Sequence, residues 1–222
     1  MGQLYLVRHG QASLGAAHYD QLSALGYRQS QRLGEHWRDI GLQFDAVLIG
    51  TLARHAQTLE GICSGLGTAL HPQTWPGLNE YDAEAVIDAV HPAPRARPDT
   101  PEAYRQHFRL LRQGLLAWMR GEVQPQGMCR WADFVEGVMS ALTFAREHHS
   151  GQVLVVSSGG PISIALGELL GMPAEQRIEL NLQMRNTSIS ELRASAQGHR
   201  VISFNTLPHL ASSAYADWVT YA

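Results

Sequence analysis

The segment VLVVSSGGPIS, residues 153–163, sets three physical signals in a row. An unbroken aliphatic run leaves no polar face for solvent, so VLVV reads as a strand buried on both sides. Two serines and two glycines follow as a tight turn. Pro161 then reads as the opening of a helix, because its fixed φ and missing N–H suit a first turn. A strand that feeds a helix N-terminus through such a turn aims backbone N–H groups at one place, which suits an anion. None of these residues titrates near neutral pH, so any chemistry at this turn has to come from elsewhere in the chain.

Outward from this segment, the same strand and helix alternation recurs. QLYLV, residues 3–7, reads as a strand ending at Arg8, His9 and Gly10. After a polar loop, Ser23 precedes a helical stretch in which Ala24, Leu25, Leu33 and Trp37 recur at near-helical spacing. FDAVLIG, residues 44–50, is a second buried strand, and TLARHAQTLEGICSGLG, residues 51–67, a helix closed by Gly65 or Gly67. The stretch from Leu70 to Thr100 holds one short helix, in LNEYDAEAVIDAV, and two longer helices are expected over Pro101–Gly121 and Trp131–His149. The segment after Val156 gives a helix to Leu170, and NTSISELRAS with GHRVISFN reads as an antiparallel hairpin near the C-terminus. The pattern predicts an α/β fold with a mostly parallel central sheet, helices on both faces and an antiparallel edge.

The chain has 222 residues, 45% of them hydrophobic, enough for one core. We therefore expect a single α/β domain over residues 1–222, with a helical lid or insertion at about 70–130. All 17 basic residues are arginines, set against 20 acids for a net charge of −3, and no basic run marks a nucleic-acid or lipid surface. Cys63 and Cys129 lie far apart in no metal-like spacing, which suits structural thiols in a reducing compartment. With no basic leader and no long apolar segment, a soluble, cytoplasmic protein is expected.

Ligands of such sheets bind at the carboxyl ends of the strands, so the loops after Val7, Ile49 and Val156 should converge. They bring Arg8 and His9, then Arg54, then Ser157 to Gly160. Two guanidinium forks and a helix N-terminus make a pocket for a tetrahedral dianion. A neutral imidazole adds a nucleophile to which a phosphoryl group can pass. Glu80 is the candidate general acid for the leaving oxygen. The other ten histidines show no metal-like clustering.

These residues also carry a family resemblance. LYLVRHGQAS resembles the opening motif of the histidine phosphatase superfamily, which includes cofactor-dependent phosphoglycerate mutase. SALGYRQSQRLG, LARHAQTLE, LNEYD, VLVVSSGGPI, NTSISEL and FNTLPHL continue it in order over most of the chain. The resemblance implies that His9 is the phosphorylated nucleophile, that Arg8 and Arg54 hold phosphoryl oxygens, that Glu80 donates the proton, and that no metal or other cofactor takes part. It also exposes a departure. Family members usually carry a second histidine where this chain has Ser158, and Ser158 is read as a substituted phosphate ligand beside Gly159, with slower transfer as the consequence.

The favoured function is a phosphomonoester hydrolase. One alternative is a phosphate-ligand binding or regulatory protein with little or no turnover. The other is a mutase, disfavoured because Arg95, Arg97, Arg105, Arg109, Arg112, Arg120 and Arg130 are spread over helices. Trp75, Tyr81, His91, Tyr104 and Phe108 are expected over His9, suiting a partly apolar phosphorylated metabolite or a phosphoprotein.

Overall fold

A computed structural model describes residues 2–12, 20–95 and 98–221. Arg97 and part of the polar loop after LYLVRHGQA lie outside them. One six-stranded sheet has the order β3-β2-β4-β1-β5-β6. Its strands are β1 (Gln3–Arg8), β2 (Ala46–Ile49), β3 (Pro72–Thr74), β4 (Gln152–Ser157), β5 (Ile189–Ser195) and β6 (Gly198–Thr206). The pairs β3–β2, β2–β4 and β4–β1 are parallel, whereas β5 runs antiparallel to both β1 and β6. The expected fold class is the observed one.

Alternation along the strands explains the two cores. Leu4 and Leu6 of β1, with Val153 and Val155 of β4, face helices α5 (Trp131–His148) and α6 (Gly159–Leu170). Val7, Leu154 and Val156 point the other way, onto α1 (Ala24–Asp39) and α2 (Ala53–Leu66). Because successive side chains in a strand take opposite faces, one aliphatic run serves both layers. A third cluster joins α3 (Ala83–Asp88), α4 (Pro101–Met119) and α7 (Ala174–Leu182) through Val86, Ile87, Leu110, Leu111, Leu115, Trp118 and Ile178.

Several expectations shift in detail. Strand β3 and helix α7 were absent from the sequence reading. β3 is a three-residue edge strand with exposed side chains, so no hydrophobic alternation marks it. Helix α6 begins at Gly159, two residues before Pro161, with Ser158 as its N-cap. The first N–H groups of a helix have no intrahelical partner, so proline costs nothing there. Gly67, at φ 73°, closes α2 in the left-handed conformation that glycine adopts without strain. Gly65 instead lies inside the helix, where a side chain would collide with the Gln31 carbonyl of α1. The buried face of α1 is Gly26, Gln29, Ser30, Leu33, Gly34 and Trp37, while Ala24 is exposed. Gly34 is small because a side chain there would collide with the Ile62 carbonyl of α2, and Gly26 because one would collide with the Gln11 carbonyl.

The aromatic cover expected over His9 is corrected in part. Trp75 turns to α5, its ring tilted against that of Phe144 at 5.2 Å and its N–H donating to the Gly137 carbonyl at 3.2 Å. Phe108 joins the α3–α4–α7 cluster, and Tyr104 is exposed. Large apolar rings gain more by sealing a core than by lining an open cleft.

Candidate active site

Strand register assembles the site. Arg8 lies opposite Ser157, and Ile49 opposite Val156, so the ends of β1, β2 and β4 stand side by side. The structure brings together the expected residues of all three loops, and each is buried: Arg8, His9, Arg54, Ser158 and Gly159.

His9 is anchored by its backbone. Its N–H donates to the Ser157 carbonyl at 2.9 Å, and its own carbonyl accepts from Asn186 Nδ2 at 3.1 Å. Its ring Nδ1 stands 2.7 Å from the Gly10 carbonyl. A carbonyl can only accept, so Nδ1 carries the proton and Nε2 keeps its lone pair. Burial, and then the charges of Arg8 and Arg54, hold the ring well below the usual histidine range. His9 is thus held as a neutral imidazole whose Nε2 carries the free lone pair.

The two arginines have different partners. Arg8 donates through Nη1 to the Met184 carbonyl. Arg54 Nη1 pairs with Asp20 Oδ1 at 2.9 Å, and Asp20 Oδ2 also accepts from the Ala53 N–H at 2.8 Å. Asp20 therefore caps α2, whose own N-cap residue, Leu52, offers no side-chain acceptor.

Glu80 is delivered by the loop after β3. Both its carboxylate oxygens lie 3.2 Å from the Gly160 N–H, at the start of α6. A Cβ at Gly160 would collide with Glu80 Oε1 and come within 2.7 Å of the Tyr81 ring, so only glycine permits this approach. Burial pushes the Glu80 carboxyl upward, opposed by Arg54, the Gly160 N–H and Arg8. Such a carboxyl can hold a proton at a higher pH than an exposed one, as a general acid requires.

Ser158 does not cap α6 with its side chain. Its hydroxyl lies 2.8 Å from His55 Nε2, and the His55 ring centroid is 5.9 Å from that of His9. One of the ten histidines set aside in the sequence therefore belongs to the site. Sequence reasoning also missed Thr58, which accepts from the Gly10 N–H at 3.0 Å and donates to the Arg54 carbonyl at 2.7 Å. It missed Thr187 as well, whose N–H donates to the Arg8 carbonyl at 3.1 Å. Thr187 has φ 55°, unusual for a β-branched residue, and its hydroxyl meets His209 Nε2 at 3.0 Å. The available signal was position: His55 and Thr58 share the first turns of α2 with Arg54, and Thr187 lies in the quoted NTSISEL.

A buried neutral imidazole, two arginines and a carboxyl raised by burial are gathered where the ends of β1, β2 and β4 stand side by side. The profile of the histidine phosphatase superfamily (branch 1) matches residues 4–207, and the chain belongs to that family. No curated protein matched the chain in sequence. Among solved structures, a phosphoserine phosphatase mutant from Entamoeba histolytica in complex with phosphoserine superposes with a TM-score of 0.65 at 20% identity, covering 95% of this chain and 100% of its own. Bacillus stearothermophilus YhfR gives 0.67 at 18% identity, covering 94% and 99%. The α-ribazole phosphatase from Shigella flexneri gives 0.63 at 21% identity, covering 92% and 96%. At these identities the likeness is one of fold. No helix among the described residues is long and apolar enough to cross a membrane.

Proposed function

We propose that this protein is a metal-independent phosphomonoester hydrolase that works through a phosphohistidine at His9. The observation that supports it most is the His9 Nδ1 contact to the Gly10 carbonyl, which leaves Nε2 as the lone-pair atom beside Arg8 and Arg54. In the first step Nε2 attacks phosphorus, the bond to the leaving oxygen breaks, and Glu80 gives that oxygen its proton. In the second step water attacks the phosphohistidine, Glu80 takes a proton from it, and the N–P bond breaks to release inorganic phosphate. Arg8, Arg54 and the backbone N–H groups at Ser158 and Gly159 hold the phosphoryl oxygens throughout, where charge develops.

Ser158 stands where the family resemblance leads one to expect a histidine. A neutral donor contributes about 1 kcal/mol where a charged one gives about 1.5–3. The difference of about 0.5–2 kcal/mol slows transfer by about 2- to 30-fold at roughly 1.4 kcal/mol per tenfold, so activity is reduced but not abolished.

The substrate we infer is a small phosphorylated metabolite or a phosphoprotein, with the 70–130 segment as the cover of the cleft. The names of the phosphatase neighbours agree with hydrolysis. So do the described arginines of that segment, because a mutase needs cations to spare for a second phosphate. Arg95 pairs with Glu84 and Asp88, Arg105 with Glu102, Arg112 with Glu179, Arg120 with Glu175 and Arg130 with Asp133. Arg109 bonds Gln106. Two free thiols, Cys63 and Cys129, suit the cytoplasm.

The direct test is hydrolysis of p-nitrophenyl phosphate without added metal, wild type beside His9→Ala, with acid-labile phosphoenzyme trapped during turnover. Activity and label that both vanish in the variant are the expected result. Phosphate affinity without either would instead indicate a binding protein.

A further inference from the structure

His55 plays no part in the mechanism above, yet it is an imidazole buried to 0% exposure within that site. Its ring lies on Gly50, where a Cβ would collide with Nδ1. Burying a polar ring is unfavourable unless it is hydrogen-bonded, and an apolar side chain of similar shape would fill the space without that cost. Space-filling alone therefore does not account for histidine at this position.

The hydrogen bonding of the ring is one-sided. Nε2 meets Ser158 Oγ at 2.8 Å, while Nδ1 has no hydrogen-bond partner among the described residues. Burial, and then the charge of Arg54, lower the ring to about 3, with the Gly50 backbone acting the other way, so it is neutral near pH 7 and carries one proton. On Nδ1 that proton would face only the Gly50 backbone, without a hydrogen bond of good geometry. On Nε2 it is satisfied by Ser158, and only a lone pair is left unmatched, which is the better tolerated of the two orphans.

The direction of this bond decides what Ser158 can do. If Ser158 Oγ accepts from His55, its hydroxyl hydrogen is left to donate elsewhere. Ser158 does not spend that hydroxyl on capping α6, although it is the N-cap residue. It follows Ser157, whose carbonyl receives the His9 N–H at 2.9 Å, so the residue sits next to the main-chain anchor of the nucleophile. A donor that also accepts is polarised by the bond it receives, and chains of this kind strengthen one another.

We propose that His55 is a positioning residue that acts through Ser158: its Nε2–H holds Ser158 Oγ so that the serine hydroxyl donates to the phosphoryl group passing to and from His9. This inference rests on the phosphatase reading of the site. It makes the two side chains one device built from separate helices, α2 and α6.

The test combines a double-mutant cycle with the ring's own spectrum. Wild type, His55→Leu, Ser158→Ala and the double variant are compared in p-nitrophenyl phosphate hydrolysis and in orthovanadate affinity. Each single change should lower kcat about tenfold with a smaller effect on KM, the scale of one hydrogen bond in a transition state, and the double variant should also lose about tenfold, not a hundredfold. His55→Gln, whose amide nitrogen reaches the place of Nε2, should recover most of the loss. In wild type at neutral pH, long-range 1H–15N NMR should find the His55 proton on Nε2. If wild type turns over no phosphoester faster than His9→Ala, the phosphatase reading fails, while the cycle in orthovanadate affinity and the NMR tautomer still decide the role of His55. A proton on Nδ1, losses that multiply in the double variant, or a His55→Leu variant that changes Tm but not kcat would each overturn the proposal.

Discussion

The site has two walls, and they are built in different ways. One is the loop after β1, where Arg8, His9 and Gly10 are consecutive and main-chain hydrogen bonds fix their positions, through Ser157, Thr187 and Ser188. The other joins the first turn of α2 to the start of α6, where His55 and Ser158 meet across 103 positions of sequence through a single side-chain hydrogen bond. The first wall is a property of local sequence and sheet register. The second exists only because β2 and β4 are neighbours in the sheet. A backbone-built wall tolerates side-chain change around it, whereas a wall made by two side chains is lost when either changes.

The sharpest way to separate the walls is to remove a chemical group from the first while leaving its backbone alone. His9→Ala keeps the Ser157 and Asn186 bonds, which use only main-chain atoms of residue 9. Loss of a covalent nucleophile costs on the order of 10^4-fold or more in kcat, so turnover should disappear while Tm and the affinity for inorganic phosphate change little. Substantial residual kcat in a fully folded variant would mean that another group receives the phosphoryl group.

Glu80→Gln probes the contact of the Glu80 carboxylate with the Gly160 N–H at the start of α6. The amide cannot give up a proton, and general acid catalysis is commonly worth about 10^2–10^4-fold. The loss should be near that range for an alkyl phosphate and far smaller for p-nitrophenyl phosphate, whose leaving oxygen needs no proton. Because burial raises the Glu80 carboxyl, wild-type kcat/KM should fall as the pH rises through that raised value, and the variant should lose this limb. Equal losses on both substrates would assign Glu80 to binding.

Legibility in the sequence follows the same division. Arg8, His9, Arg54 and Glu80 could be named because each sits in a run whose local chemistry announces it, at a strand end or a helix start. The aliphatic VLVV and the hairpin gave the sheet and its antiparallel edge for the same reason. Ser158 could be seen only as a departure from a pattern, and its partner could not be seen at all. A histidine one residue after Arg54 looks like any helical residue until the parallel pairing of β2 with β4 is known. Asp20 was hidden in a similar way, since it caps a helix that begins 33 residues later. Strand β3 escaped because an exposed edge of three residues carries no periodic signal. Trp75 and Phe108 misled, because their size fits a pocket or a core equally well and only packing decides between them.

Acid should weaken both walls together, since each contains a buried neutral imidazole. His9 is held below its usual range, and His55 and His209 are lowered to about 3. In the unfolded chain these rings take up protons near pH 6.5, so the unfolded state binds more protons than the folded state below that pH. The stability they contribute is complete above about 6.5 and is lost as the pH falls toward 3, at up to about 1.4 kcal/mol per pH unit for each ring. Glu80, shifted upward, works in the opposite sense, and its contribution is lost as the pH rises through its folded value. Urea titrations from pH 7 to pH 4 should show falling stability, and His55→Leu should reduce the slope by about one proton's worth. An unchanged slope in that variant would show that His55 is already protonated in the folded protein.

The smallest expected effect lies at the junction of α2 with the solvent. Asp20 holds Arg54 at 2.9 Å and caps α2 through the Ala53 N–H, yet its side chain is 43% exposed. An ion pair that open contributes at most about 1 kcal/mol to stability. Its charge, however, faces the guanidinium that must receive a phosphate dianion, so carboxylate and substrate compete for one cation. Asp20→Asn removes the charge while keeping an oxygen for the helix cap. Stability should therefore change by only a few tenths of a kcal/mol, since asparagine caps a helix about as well as aspartate. KM for a phosphomonoester should fall a few-fold, and more at low salt, because screening weakens an exposed charge. A rise in KM would reverse the assignment: Asp20 would then be holding Arg54 in the orientation that binds substrate, and the α2 wall would depend on an outer support as the β1 loop depends on Asn186 and Thr187.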